Sequence, residues 1–278
     1  MNELPPLREV IEQYDLGAKK SLGQHFLLDL NMTRKIARAA FVDAGDVVLE
    51  IGPGPGGLTR ALLETGAQVI AIERDHRCIE ALTDVTAAFD GRLKIIEADA
   101  LRADERALIG DQAPVKIVAN LPYNISTELL IKWLKAGPAL WSVMALMFQK
   151  EVADRILAAP GSKAFGRLSV IAQATSLPSR AFNLPARAFT PPPKVESTVV
   201  LFEQGAAPFA FLPALEKVTQ AAFSQRRKML RSSLKSLLGV HLSAALEEAG
   251  VKETQRAEEL SVAQFKLLAE IFSRSASA

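Results

Sequence analysis

One junction limits what this chain can become more than any other stretch. The apolar run Val47-Val48-Leu49-Glu50-Ile51 leads into Gly52-Pro53-Gly54-Pro55-Gly56-Gly57, after which Leu58, Ala61 and Leu62 begin a helical pattern. Glycines let a backbone turn sharply and let a ligand come close to the main chain. Gly52, Gly54 and Gly57 satisfy the G-x-G-x-x-G spacing of nucleotide-binding strand–loop–helix units. The next apolar run, Gln68–Ile72, ends on Glu73, about twenty residues on, where an acid would hold ribose hydroxyls. Strand-like runs alternate with helical patterns to about Val170, the signature of parallel βαβ units. A nucleoside site follows, with NAD and S-adenosylmethionine both compatible at this stage.

The loop's prolines narrow the ligand. Pro53 and Pro55 withdraw N–H donors, and a pyrophosphate needs many of them. The zwitterionic amino-acid tail of S-adenosylmethionine asks for fewer. Asp99 closes the third apolar run, Leu93–Ala98. It suits an acceptor for a cofactor's adenine amine and, equally, a cap for the residues that follow. The fourth run, Val115–Ala119, ends in Asn120-Leu121-Pro122-Tyr123. Its proline stiffens the turn, the Asn120 side-chain oxygen can accept from an N–H₂ group, and Tyr123 can stack on a base. Taken alone, the same residues suit an ordinary strand-to-helix turn. Taken with Gly52, Glu73 and Asp99, they make four strand ends in succession that offer ligand groups at one edge, where open α/β sheets bind ligands. That combination selects a methyltransferase over an NAD-dependent oxidoreductase, which leaves Asn120–Tyr123 without a role.

These segments resemble the small-subunit (16S) ribosomal RNA adenine dimethyltransferase family, whose loss in bacteria gives kasugamycin resistance. The resemblance is carried by Leu22-Gly23-Gln24-His25-Phe26-Leu27, Glu50-Ile51-Gly52-Pro53-Gly54, Asn120–Thr127 and Gln149-Lys150-Glu151-Val152. Gly166–Val170, Phe189-Thr190-Pro191-Pro192-Pro193-Lys194-Val195 and Ala222–Lys228 extend it over nearly the whole chain. It implies a Rossmann-like class I methyltransferase sheet, with one antiparallel strand, and a small C-terminal all-α domain. It implies S-adenosylmethionine as donor. The acceptors would be the N6 amines of two adjacent adenosines near the 3′ end of small-subunit rRNA, in a pre-assembled small subunit. By the same resemblance His25, through its backbone, and Leu27 contact the cofactor, Gly52 lies beneath it, Glu73 holds its ribose and Asp99 its adenine. Asn120 touches the cofactor as well and, with Tyr123, binds the target base, Leu121 presents a carbonyl to its amine, and Phe189 faces the adenine from the other side. A large-subunit adenine methylase and a mainly non-catalytic ribosome assembly factor are the neighbouring alternatives.

Domain organisation follows from where strand signals stop. Runs at Ser179–Phe182 and Glu196–Phe202 flank the proline-rich Phe189–Lys194 segment and predict a terminal hairpin. Beyond Ala206-Ala207-Pro208 only helical spacing remains, as in Leu215, Val218, Ala222 and Leu230, Leu234, Leu237. The expected division is a methyltransferase domain over 1–205 and a helical RNA-binding domain over 206–278. The latter carries Lys217, Arg226, Arg227, Lys228, Arg231 and Lys235 with no acid between Lys217 and Lys235. A solvated charged face is one reading. Beside a base-handling enzyme, the patch is expected to contact rRNA phosphates through Arg226, Arg227, Lys228, Arg231 and Lys235. Lys19 and Lys20 are expected to do the same.

Net charge is +2 over 278 residues, so charge distribution rather than total charge points to nucleic acid. One cysteine, Cys78, forms no internal disulfide and suits a reducing cytoplasm. His25, His76 and His241 are scattered, so no metal set is expected. No run approaches the ~20 apolar residues of a membrane span, and nothing calls for more than a monomer. On this reading, calorimetric titration should show S-adenosylmethionine binding and NAD failing to bind. Preferential binding of NAD would restore the oxidoreductase.

Overall fold

The computed structural model describes residues 4–17, 25–205, 207–225 and 227–275. Its strands are β1 (Phe26–Leu27), β2 (Val47–Ile51), β3 (Gln68–Glu73), β4 (Leu93–Glu97), β5 (Val115–Asn120), β6 (Trp141–Gln149), β7 (Leu177–Leu184), β8 (Phe189–Thr190) and β9 (Ser197–Glu203). Seven of them form one sheet in the order β4-β3-β2-β5-β6-β9-β7. β4, β3, β2, β5 and β6 run parallel, and β9 is antiparallel to β6. The anticipated hairpin strands, β7 and β9, are neighbours at the sheet's far edge.

Local chemistry explains why the chain takes this course. Val48, Leu49, Ile70, Ile117 and Val118 are all buried, as β-branched and apolar strand residues are when helices cover both faces of a parallel sheet. Asp29, Asp75 and Asp104 begin helices by accepting the N–H of Asn31, Arg77 and Ala107, which satisfies amides the helix itself leaves open. The chain builds outward from β2 through β3 to β4, then crosses to β5 on the other side of β2. The crevice at that reversal is where doubly wound sheets bind ligands. The ends of β2 and β5 carry Gly52 and Asn120, which puts both motifs at this point.

The chain folds into two compact units, residues 1–153 with 179–203, and 154–178 with 204–278. The sheet belongs to the first. In the second, the helix Arg167–Thr175 is grouped with the C-terminal helices, a division different from a single cut after residue 205. The reason lies in its apolar face. Phe165, Val170 and Ala174 share one core with Leu215, Val218, Leu230, Leu234, Phe265 and Leu268. Phe223 stacks on Phe265 at 5.5 Å between ring centroids. Among the described residues, no helix is long and apolar enough to cross a membrane.

The glycine junction is held by close packing. A Cβ at Gly57 would lie 2.7 Å from the carbonyl oxygen of Leu27 and 3.1 Å from Leu7 Cδ1. Backbone cannot yield as a flexible side chain does, so Gly57→Ala should push β1 off the helix Gly57–Glu64 and cost about 1–3 kcal/mol in urea unfolding. Gly17→Ala, where a Cβ meets nothing within 4 Å, should stay within about 0.5 kcal/mol. Equal effects of the two substitutions would show that the contact is not what restricts residue 57.

Candidate active site

The ends of β2, β3, β4 and β5 open on one cleft, lined among others by His25, Leu27, Gly52, Glu73, Asp99, Asn120, Leu121 and Tyr123. Eight expected site residues, drawn from five separate segments, therefore meet in space.

The glycine loop spends its amides on the protein. Gly52 N–H donates to the Ile72 carbonyl at 2.9 Å and Gly56 N–H to the Pro53 carbonyl at 3.0 Å. Gly54 N–H donates to Glu73 Oε2 at 3.2 Å. With Pro53 and Pro55 lacking N–H groups, the loop is poorly furnished for a pyrophosphate. Gly52 and Gly54 sit at φ +65° and +55°, where side chains are strained, and a Cβ on Gly54 would reach 3.0 Å from the Phe26 ring.

Glu73 is nearly buried and takes three main-chain hydrogen bonds. Oε1 accepts from Arg74 N at 2.7 Å and Asp75 N at 2.8 Å, while Oε2 accepts from Gly54. Burial pushes its carboxyl above the usual range, and those N–H groups oppose the rise. A carboxylate has about four lone-pair sites, so a ribose hydroxyl can still be accommodated. Asp99 makes the cap and keeps its second oxygen at the cleft. Oδ1 accepts from Leu101 N at 3.0 Å, and Oδ2 lies 3.5 Å from the Arg74 guanidinium. The cap uses one oxygen and leaves the other facing the cleft's cation. These groups fit the ribose and adenine of S-adenosylmethionine.

At the end of β5, Asn120 Nδ2 donates to the His25 carbonyl at 3.0 Å. A carbonyl only accepts, so this bond fixes the amide's orientation and leaves Oδ1 as its acceptor end. The Tyr123 hydroxyl and Ser197 Oγ are 2.6 Å apart, and burial raises the Tyr123 phenol. His25 lies against Tyr123 with ring centroids 5.4 Å apart, and its Nδ1 is 2.9 Å from the Pro191 carbonyl. That contact requires a proton on Nδ1.

Phe189 sits apart from these residues. It pairs with Leu27 across the β1–β8 ribbon, is only 2% exposed, and shares a core with Leu27, Leu184 and Val199. It does not line the cleft. An apolar ring gains from this burial, and in this structure Phe189 backs Leu27. The basic residues Arg227, Lys228, Arg231 and Lys235 are exposed, whereas Leu230, Leu234 and Leu238 are buried. They do not share one regular helix, because Leu230–Ser233 and Lys235–Leu238 are separate short helices preceded by a turn. Arg226, Lys19, Lys20 and the Leu22-Gly23-Gln24 part of the N-terminal motif lie outside the described residues.

A model of the ribosomal RNA adenine dimethylase family matches residues 16–274. The chain belongs to that family. A "Ribosomal RNA small subunit methyltransferase A" of Xanthobacter autotrophicus is 56% identical over 99% of this chain and 96% of its own length. One of the same description from Phenylobacterium zucineum is 58% identical over 97% and 93%. Among solved structures, a dimethyladenosine transferase from Plasmodium falciparum is 27% identical with a TM-score of 0.75, covering 91% of this chain and 98% of its own. The 23S rRNA methyltransferase ErmE is 26% identical at TM-score 0.68, covering 89% and 99%. Family membership makes the protein an rRNA adenine methyltransferase, with S-adenosylmethionine the donor such a family uses.

Two residues at the cleft had no role assigned from sequence. Arg74 follows Glu73 without any distinguishing pattern. Glu50 did carry a signal, a lone acid inside an apolar strand. It is 1% exposed, its partner is the Thr59 hydroxyl at 2.7 Å, and burial pushes its carboxyl up to about 8. In the folded protein it therefore keeps a proton that the unfolded chain releases near 4.5. Its contribution to stability is full below that value and is lost as pH rises through about 8. Between pH 5.5 and 8, wild-type unfolding free energy should fall relative to Glu50→Gln by something on the order of 3 kcal/mol. Parallel pH profiles in urea unfolding would show that Glu50 titrates normally.

Proposed function

We propose that this protein dimethylates the N6 amines of two adjacent adenosines near the 3′ end of small-subunit rRNA, within a partly assembled subunit in the cytoplasm. The observation that carries the reading is the oriented Asn120 amide beside Tyr123, at the same sheet edge as Glu73 and Asp99. The small-subunit description of the relatives at 56% and 58% identity supports the choice of subunit over the 26% likeness to a large-subunit enzyme.

S-adenosylmethionine, when bound, supplies a methyl group already activated on a sulfonium, so neither a metal nor a covalent enzyme intermediate is needed. Glu73 would hold its ribose and Asp99 its adenine, over Gly52 and Gly54 and beneath His25–Leu27. On the substrate side the difficulty is an amine whose lone pair is delocalised into the adenine ring. Asn120 Oδ1 and the Leu121 carbonyl accept its N–H groups, favouring a more tetrahedral nitrogen and stabilising charge as it develops. Tyr123 offers the stacking surface for a base taken out of its helix. The remaining contribution is alignment, worth several kcal/mol in well-oriented reactions. The amine's proton leaves to solvent after transfer, so no residue acts as a general base. Arg227, Lys228, Arg231 and Lys235 would hold phosphates, adding affinity and salt dependence without choosing sequence.

The test is methyl transfer from labelled S-adenosylmethionine to unmethylated small and large subunits, followed by nucleoside analysis, with wild type and Asn120→Ala. Wild type should place N6,N6-dimethyladenosine in small-subunit RNA alone. Asn120→Ala should lose about a hundredfold or more in rate while still binding the subunit. Label in large-subunit RNA would overturn the choice of subunit. Tight small-subunit binding without any label would leave an assembly factor.

A further inference from the structure

The loop that carries Asp99 is built around its own backbone. Arg102 N–H and Ala103 N–H both donate to the Asp99 carbonyl at 2.9 Å, so the chain folds tightly back on that residue. This leaves the carbonyls of Ala100 and Ala103 turned away from the turn's own donors. Both are taken by one side chain from another element. Lys132 Nζ donates to the Ala100 carbonyl at 2.9 Å and to the Ala103 carbonyl at 2.6 Å. Its third partner is Glu105, with Oε1 at 2.9 Å and Oε2 at 2.8 Å. An ammonium has three donors, and here all three have acceptors.

Glu105 is itself fixed. It is only 3% exposed, and Oε1 also accepts from Trp133 Nε1 at 2.9 Å. Trp133 is fully buried, and its carbonyl accepts Trp141 Nε1 at 2.7 Å. Lys132 and Trp133 are consecutive on the helix Ser126–Ala136, which starts just past Asn120–Ile125. The same helix that leaves the base-binding turn thus reaches across to the loop after β4.

We infer that Lys132, seated on Glu105, is a positioning residue that sets the Asp99 loop and thereby the enzyme's selectivity for the adenine amine of its cofactor. This rests on the proposed role of Asp99. An anchoring lysine of this kind touches neither donor nor base. Without it two loop carbonyls lose their donor and a buried carboxylate, left with only the Trp133 N–H, loses its cation, and the loop is free to settle elsewhere. Asp99 then no longer presents its oxygen at a fixed point, and discrimination between an amine and a carbonyl at adenine C6 is lost.

The experiment compares calorimetric binding of S-adenosylhomocysteine with S-inosylhomocysteine, in which oxygen replaces the amine, for wild type, Lys132→Met, Lys132→Arg and Glu105→Gln. Wild type should prefer the adenine compound. In Lys132→Met that preference should shrink about tenfold or more, the scale of a lost charge-assisted hydrogen bond. In steady-state assays the defect should appear in KM for S-adenosylmethionine rather than in kcat. Lys132→Arg, which keeps the charge and donors, should recover part of the preference. If Lys132→Met does not fold, Glu105→Gln carries the test, since it keeps an acceptor for Trp133 while weakening the seat of the ammonium. An intact preference in a folded Lys132→Met, or in Glu105→Gln when only that variant folds, overturns the inference, as does a fall in kcat and melting temperature with selectivity unchanged. Absence of any preference in wild type instead overturns the adenine role of Asp99 itself.

Discussion

The arrangement of the cleft depends on how the Glu73 carboxylate is held. Left to burial alone, a carboxyl at the end of an internal strand would favour its neutral form. Main-chain N–H groups of Gly54, Arg74 and Asp75 converge on it and work in the other direction. One of those donors comes from the glycine loop after β2, so the bond joins two neighbouring strand ends as well as tuning one acid. It also explains why the loop tolerates two prolines. Its remaining amides serve the fold, and a loop that binds no phosphate has no need of spare donors. Gly57 completes the junction by letting the following helix approach the Leu27 carbonyl.

Glu50 shows what the same side chain does without such support. It stands one residue before the end of β2 and has a single hydroxyl, from Thr59, as its partner. Burial dominates, with the nearby Glu73 adding a smaller push in the same direction. Two acids on adjacent parallel strands thus differ in their main-chain donors and so in their tendency to carry charge. A site meant for a cationic donor benefits from this division, because packing two unshielded carboxylates together would cost stability in its absence.

Much of this was legible in the sequence because it is encoded locally. Glycines at G-x-G-x-x-G spacing, an acid about twenty residues on, and Asn-Leu-Pro-Tyr after an apolar run each follow from backbone and hydrogen-bonding rules that act over a few residues. The switch point then brings them together without further information. What could not be read depends on distant partners. Phe189 has the same sequence context whether its ring faces a cleft or a core, and only its pairing with Leu27 decides. Helical spacing marks Arg167–Thr175 as a helix but not as a companion of Phe265. The leucines at 230, 234 and 238 keep helical period across a stretch that breaks into two short helices, since burial of one side does not require unbroken hydrogen bonding. Nothing in the sequence sets Lys132 apart, because neither of the carbonyls it holds leaves a trace in side-chain composition.

The substrate side of the cleft follows the logic of the cofactor side. For the proposed acceptor role of Asn120, its donor end has to be kept from turning forward, and the His25 carbonyl does this. For the proposed stacking role of Tyr123, the ring has to be stopped from swinging, and the Ser197 hydroxyl holds its far end. His25 is in turn held through Pro191, so the short β1–β8 ribbon and the start of β9 act as the frame for groups that β5 delivers. The burial of Phe189 belongs to this frame. Its ring packs in the core beneath the ribbon whose His25 carbonyl fixes Asn120, so trading it for a smaller side chain would loosen that amide. The proposed reaction, driven by alignment without a general base, would place its demands on such supports, so the residues beyond the cleft that count are those that keep an acceptor pointing one way.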